Sequence, residues 1–132
     1  MKTKEELITI LDDFIQYKGY FENPPKEAYL VDDMDYSECK EAREMEQLLY
    51  KHEVFDTKYY PKLSIMEKKY GVSQMEEFSR EKLTLEEVFA IFTWIHRDER
   101  HCGGCFLRAI ENKTFYNLLC RMEEIKEEMI IC

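Results

Sequence analysis

The sequence predicts an all-α fold: a single compact domain, residues 1–132, of about six helices with an irregular loop near residues 18–35. Three observations support this prediction. The 132 residues include only four Gly and three Pro, too few for a turn-rich β-sandwich. Hydrophobic residues make up 45% of the chain and aromatic residues 14%, which is enough to build a core. Finally, apolar residues recur at helical spacing behind sequences typical of helix N-termini.

The first predicted helix begins at the capping box Thr3-x-x-Glu6, whose side chains can satisfy free N–H groups of the first turn. Gly19 is expected to end this helix, and Pro24-Pro25 exclude helix from the loop that follows. The helix has one apolar face, formed by Leu7, Ile8, Leu11, Phe14 and Ile15.

The predicted loop ends in an acidic cluster, Asp32, Asp33 and Asp35. It lacks the central Gly and closing Glu of a Ca²⁺ loop, so we expect a solvated loop or a helix start there. Asp35-x-x-Glu38 resembles a second capping box and predicts a helix that runs to about Lys51. The buried stripe of that helix would consist of Cys39, Ala42, Met45 and Leu49.

The middle of the chain predicts a connection over residues 54–57 and then a shorter helix with Tyr59, Leu63, Met66 and Tyr70 on one side. Gly71 is a natural left-handed C-terminal stop for this helix. Ser73-x-x-Glu76 is expected to open a brief helical segment that carries Met75 and Phe78.

The strongest helix is predicted to open at the capping box Thr84-x-x-Glu87 and to break at Gly103-Gly104. Its apolar face is Leu85, Val88, Phe89, Phe92 and Ile95. A short helix around Phe106 to Ile110 follows, and Thr114 starts the last helix. That helix is expected to bury Phe115, Leu118, Leu119, Met122, Ile125 and Met129.

The charge of the chain limits its partners and its compartment. A net charge of −9 argues against direct nucleic-acid binding, which depends on clustered Lys and Arg, and makes basic partners electrostatically easier. No stretch approaches the roughly 20 apolar residues of a membrane span. Five Cys without a secretory signal peptide predict a cytoplasmic protein with reduced thiols.

The most unusual segment is the turn His101-Cys102-Gly103-Gly104-Cys105. The Cys102-x-x-Cys105 spacing suits zinc, with His96 or His101 as a further ligand, or redox chemistry at a helix start. No second Cys pair completes a zinc site, and the helical context is unlike that of thioredoxins. We therefore expect no metal and no cofactor, with the two Gly forming a tight turn.

Basic residues surround this turn. Residues 94–108 carry a net charge of +1, whereas the rest of the chain carries −10. Because Arg97 and Arg100 are three residues apart, both can project from one helix face and hold a carboxylate or phosphate. Internal ion pairing with nearby Glu side chains is the competing interpretation. The candidate anion- or partner-binding residues are Arg97, Glu99, Arg100, His96, His101 and Arg108.

The segment from Thr93 to Gly104 resembles the signature of a bacterial family of unknown function, the one numbered 6508. The resemblance covers roughly residues 45–122 and includes a Phe-Asp element at Phe55-Asp56. It implies an all-helical fold and a shared Arg/Glu/Cys turn, without a known substrate. The matching positions are Thr93, Arg97, Glu99, Arg100, Cys102, Gly104, Glu111, Leu118, Leu119 and Arg121.

Three residues depart from that signature. His101 replaces an aromatic residue, Gly103 an acidic one and Cys105 an aliphatic one. The Cys102-x-x-Cys105 pair is thus a peculiarity of this chain, which weakens the zinc and redox interpretations.

These observations favour a small, acidic, cytoplasmic protein of bacterial or phage origin that acts as a protein-interaction or regulatory module. A protein partner is expected, with no direct nucleic-acid or membrane contact, and the oligomeric state stays open. One alternative is a phage or mobile-element inhibitor of a bacterial defence nuclease, similar to anti-CRISPR proteins, because small acidic proteins can occupy basic channels. The other is an enzyme or anion-binding protein that uses Arg97 and Arg100 as a clamp and His96 or His101 as acid or base.

Overall fold

A computed structural model describes residues 2–24, 39–102 and 105–131, without the side chains of residues 100–102. Most of the described residues are helical and none lies in a strand, which confirms the predicted all-α class. They form eight helices rather than about six: α1 Lys4–Ile15, α2 Lys18–Glu22, α3 Lys40–Lys51, α4 Tyr59–Tyr70, α5 Met75–Phe78, α6 Leu85–Cys102, α7 Cys105–Glu111 and α8 Thr114–Ile131.

Helices α6 and α8 are the centre of the arrangement. Helix α6 packs against α3, α4, α7 and α8, and helix α8 also packs against α1, α2 and α7. Phe115 of α8 connects these layers, because its ring lies 6.0 Å from that of Phe92, 5.0 Å from that of Phe21 and 6.1 Å from that of Phe106. Burying each such ring contributes about 2–3 kcal/mol, so this aromatic cluster is a main source of stability.

The predicted capping box of α6 is confirmed in full, and that of α1 is confirmed in its threonine half only. The Thr3 hydroxyl accepts from the Glu6 backbone N–H at 3.1 Å. At α6 both halves form: the Thr84 hydroxyl accepts from the Glu87 N–H at 3.2 Å, and a Glu87 carboxylate oxygen accepts from the Thr84 N–H at 2.9 Å. The brief segment α5 is also present, although Gln74 rather than Ser73 occupies its N-cap position.

The predicted end of the first helix at Gly19 and the start of the irregular loop at residue 18 are wrong. Helix α1 ends at Ile15, and α2 then runs through Gly19 to Glu22. The physical reason is the burial of Phe21, whose ring packs against Phe115 and offsets the low helix propensity of Gly19. The rest of the predicted loop, with its acidic cluster and the Asp35-x-x-Glu38 capping box, lies outside the described residues.

Other predicted elements are confirmed. Helix α3 buries Ala42, Met45 and Leu49, and Cys39 is buried immediately before its first turn. Gly71 ends α4 with a φ of 69°, in the left-handed region that favours glycine. The last helix buries the predicted apolar face, except for Met129, which is half-buried.

Candidate functional site

Helix α6 positions two of the predicted site residues in the core. His96 follows Phe92 by four residues, so it continues the buried face of the helix, and it is 0% exposed. Its ring lies 5.0 Å from that of Phe106 and 6.1 Å from that of Phe115. His96 is therefore enclosed by aromatic side chains and does not lie on the surface beside the arginines.

Glu99 lies one turn beyond His96 and is 4% exposed. Its Oε1 accepts a hydrogen bond from the backbone N–H of Phe106 at 2.7 Å. That N–H belongs to the first turn of α7, which has no intrahelical acceptor for it. Glu99 thus caps the next helix and connects the two sides of the predicted turn.

Arg43 and Glu46 of α3 are neighbours of the site that were not among the predicted residues. The Arg43 guanidinium carbon lies 5.0 Å from the centroid of the Phe106 ring, and its Nη1 donates to Glu46 Oε1 at 3.3 Å. Helical periodicity alone could not have found these residues, because their place beside α7 depends on how α3 packs against α6.

Arg108 is a predicted site residue that is already occupied by contacts within the protein. It is exposed on α7, and its Nη2 donates to Gln74 Oε1 at 2.7 Å and to Glu76 Oε2 at 2.9 Å. Burial would raise the pKa of Glu76, but hydrogen bonding and the Arg108 guanidinium lower it. Arg108 therefore forms an internal ion pair, which was the predicted alternative to an anion site.

Arg97 behaves differently from Arg108. Its side chain is exposed, and its guanidinium carbon lies 6.0 Å from the centroid of the Phe55 ring, at the outer limit of a cation–π contact. Among the residues that the structure describes, no carboxylate comes within ion-pair distance of Arg97. Within the described ranges, its charge is therefore exposed and has no paired acid.

The segment that carries Phe55 is fastened to two helices. The backbone N–H groups of Val54 and Phe55 both donate to the Leu49 carbonyl, at 2.9 and 3.1 Å, where α3 ends. The next N–H, that of Asp56, donates to the hydroxyl of the fully buried Thr93 at 2.9 Å. Thr93 lies four residues before Arg97, on the same side of α6, so this bond fixes Phe55 beside Arg97.

The Asp56 side chain forms contacts away from Arg97. Its Oδ1 accepts from the Lys58 backbone N–H at 2.8 Å, and its Oδ2 accepts from Lys62 Nζ at 2.7 Å. Lys62 also pairs with Glu86 at 2.5 Å. The acid that is nearest in sequence to Phe55 is thus committed to the start of α4.

A second ring extends the surface. The Tyr50 and Phe55 rings are stacked, with centroids 4.7 Å apart and an interplanar angle of 13°. Tyr50 is 47% exposed at the end of α3. We call Tyr50, Phe55 and Arg97 the Arg97 surface. It unites the Phe-Asp element with the arginine of the predicted turn, although 42 positions separate Phe55 from Arg97.

A shallow cleft of about 270 Å³ adjoins this surface, because Phe55 and Asp56 are part of its lining. Its other walls are apolar at Val54 and Phe89 and charged at Lys58, Lys62 and Glu86. The cleft is large enough for one side chain of a bound molecule.

The remaining predicted residues give less information. Arg100, His101 and Cys102 form the last residues of α6, but their side chains, like Gly103 and Gly104, lie outside the described part of the chain. Cys105 is half-buried at the start of α7. Among the described residues, no group of three His, Cys, Asp or Glu side chains could hold a metal ion.

Within the described ranges, no helix has the length and apolar character needed to cross a membrane. No curated protein and no solved structure matches this chain. Residues 2–128 match a family that is described only as a family of unknown function, DUF6508. That match spans nearly the whole chain, and the protein therefore belongs to the DUF6508 family.

Proposed function

We propose that this protein is an interaction module, small and acidic, that binds a protein partner through the Arg97 surface. The observation that carries the proposal is the exposed Arg97 guanidinium, which lies over Phe55 and has no carboxylate partner among the described residues. An exposed arginine beside aromatic rings is a common centre of protein–protein contacts.

The chain has many acids that could have paired with Arg97, since it contains 28 Asp and Glu against 19 Lys and Arg. Other described arginines do find such partners: Arg43 pairs with Glu46, Arg108 with Glu76 and Arg121 with Glu124. Arg80 is also without such a partner among the described residues, but Arg97 differs from it in lying beside an aromatic ring. This combination is what we would expect of a residue whose partner belongs to another molecule.

The hydrogen bonds that hold Phe55 in place also favour binding. Phe55 is held between the Leu49 carbonyl and the Thr93 hydroxyl, so its ring needs little ordering when a partner arrives. A contact surface that is already ordered loses less conformational entropy on association, and more of the contact energy appears as affinity.

The burial of His96 supports this proposal over the enzyme alternative in which His96 is the acid or base. A general acid or base must come within hydrogen-bond distance of the substrate. In this structure the His96 imidazole is 0% exposed and is packed against Phe106 and Phe115. Glu99 is occupied in part by the cap on α7.

The test compares three forms of the full-length protein immobilised at equal density: wild type, Arg97→Ala and Arg80→Ala. Arg80 is the matched control, because it is exposed and no carboxylate of the described residues lies within ion-pair distance of it, although its charge helps to lower the pKa of Glu76. Unlike Arg97, it has no ring contact in the described part of the chain. Each form is exposed to the same cell extract, and the bound proteins are measured by quantitative mass spectrometry. We expect a partner protein that wild type and Arg80→Ala retain equally and that Arg97→Ala retains about tenfold less. Identical sets of bound proteins would refute the proposal.

A further inference from the structure

We infer that the Arg97 surface binds a segment of a partner protein that presents an Asp or Glu side chain next to an aromatic side chain. This inference rests on the proposed function and adds the chemistry of the partner. The carboxylate would meet Arg97, and the aromatic ring would pack on the Tyr50 and Phe55 rings.

The carboxylate expected on the partner follows from the charge at Arg97. A guanidinium presents paired N–H donors that match the two oxygens of a carboxylate. Asp56, which follows Phe55 in the sequence, is held by Lys62 and by the Lys58 N–H, so it does not compete for Arg97. A Lys or Arg side chain on the partner would be repelled by Arg97 at the same place.

The aromatic side chain expected on the partner follows from the Tyr50 and Phe55 rings. Tyr50 is 47% exposed although its ring is stacked on Phe55 at 4.7 Å. A further ring can meet the exposed part of the Tyr50 side chain edge-on. An aromatic contact beside the arginine would also exclude water from the carboxylate–guanidinium pair, which strengthens it.

A stacked ring pair with an arginine could also suit an unpaired nucleobase and its phosphate. The net charge of −9 disfavours that partner, because a nucleic acid brings one negative charge with every nucleotide. A single carboxylate in a protein segment brings far less repulsion, and at physiological salt the charges beyond about 8 Å are largely screened.

The experiment uses ¹⁵N-labelled full-length protein and NMR titration with capped hexapeptides. The probe contains Phe-Glu at its centre between Gly and Ser residues. Three matched probes test the chemistry: Phe-Gln removes the charge, Ala-Glu removes the ring, and Phe-Lys reverses the charge. An oligothymidylate of eight nucleotides tests the nucleic-acid partner.

We expect the Phe-Glu peptide to bind in the millimolar range and to shift the Arg97 Nε–H signal together with the amide signals of residues 50–56. The Phe-Gln and Ala-Glu peptides should bind at least about fivefold more weakly, and so should Phe-Glu binding to Arg97→Ala or Phe55→Leu. Arg80→Ala should bind as wild type does. Arg97→Ala keeps the test valid if Phe55→Leu does not fold.

Three results would overturn the inference: no localised shifts with Phe-Glu, equal binding of the Phe-Glu and Phe-Lys peptides, or preferential binding of the oligothymidylate. If a partner is still captured in an Arg97-dependent manner while the Phe-Glu peptide fails to bind, the proposed function stands and this partner chemistry is wrong. If capture is also independent of Arg97, both are wrong.

Discussion

The backbone N–H of Phe106 donates to Oε1 of Glu99 at 2.7 Å, so a carboxylate of one helix caps the first turn of the next. Both groups are buried, and seven positions separate them. This bond links α6 to α7 independently of the residues between them. It explains how an acidic residue comes to be in the core of the protein, because its oxygen satisfies an N–H that has no intrahelical acceptor.

Replacing Glu99 by Ala should therefore destabilise the protein. The Phe106 N–H would lose its acceptor, at a cost of about 1–2 kcal/mol, or a fall in Tm of roughly 5 °C. Glu99→Gln keeps an acceptor oxygen and should lose less. Thermal unfolding followed by circular dichroism measures the effect, with the exposed Glu67→Ala as control. Equal Tm values for Glu99→Ala and Glu67→Ala would show that the cap contributes nothing.

Thr93→Val should be more harmful than Thr93→Ser. Valine preserves the volume of the buried side chain but removes the hydroxyl that accepts from Asp56 N–H and donates to the Phe89 carbonyl at 2.8 Å. An Asp56 N–H without an acceptor would cost about 1–3 kcal/mol, whereas serine keeps both bonds and loses a methyl group worth about 1 kcal/mol. Urea denaturation gives both values, and the reverse order would contradict this role of the hydroxyl.

Glu87 should make stability depend on acidity. It accepts from the Tyr70 hydroxyl at 2.6 Å and from the Thr84 N–H at 2.9 Å, and Lys69 pairs with it at 3.1 Å. Burial alone would raise the pKa of Glu87, but these donors lower it below its usual 4.5. Because the pKa of the folded state is the lower one, the stabilisation is complete above about pH 5 and is lost as the pH falls through the folded pKa.

The measurement compares wild type with Glu87→Gln by urea denaturation from pH 7 to pH 3. Wild type should be more stable by about 1 kcal/mol at pH 7, since hydrogen bonds to a charged group are the stronger ones, and the difference should shrink towards pH 3. Glu67→Gln, at an exposed position of the same helix pair, is the control. A difference that stays constant over this range would refute the assignment.

Two Gly→Ala substitutions should have opposite signs. Gly19 lies inside α2, and a Cβ there would have no atom within 4 Å, so Gly19→Ala should stabilise the fold by about 0.5–1 kcal/mol. Gly71 has equal space but a φ of 69°, so Gly71→Ala should destabilise it by about 1–2 kcal/mol. Denaturation midpoints measure both, and each substitution serves as the control for the other. The same sign for both would contradict the described backbone.

The helices could be predicted from the sequence wherever local chemistry determines them. Thr84 and Glu87 cap their own helix, and Gly71 ends its helix by its own conformational freedom. Helix α2 could not be predicted in this way, because it exists through the contact of Phe21 with Phe115, a residue almost a hundred positions away. The local sequence suggested that the first helix ends at Gly19, but tertiary packing outweighed this local preference.

The candidate site, like the fold, could be predicted from the sequence only in part. The burial of His96 and Glu99 was present in the sequence as a signal, since both continue the spacing of Phe92 along one helix face. Because both side chains are polar, they were instead predicted to belong to a site on the surface. The meeting of Phe55 with Arg97 depends on a hydrogen bond between Asp56 and Thr93, which no local pattern can encode.

Trp94 gives the molecule an optical reporter. It is the only tryptophan of the chain, is half-buried, and lies edge-on to Phe78 at 6.4 Å. It also precedes Arg97 by three residues on α6, so the two side chains are helical neighbours. Its fluorescence will therefore register both the loss of packing during unfolding and the arrival of a ligand beside Arg97, and neither measurement will need an added dye.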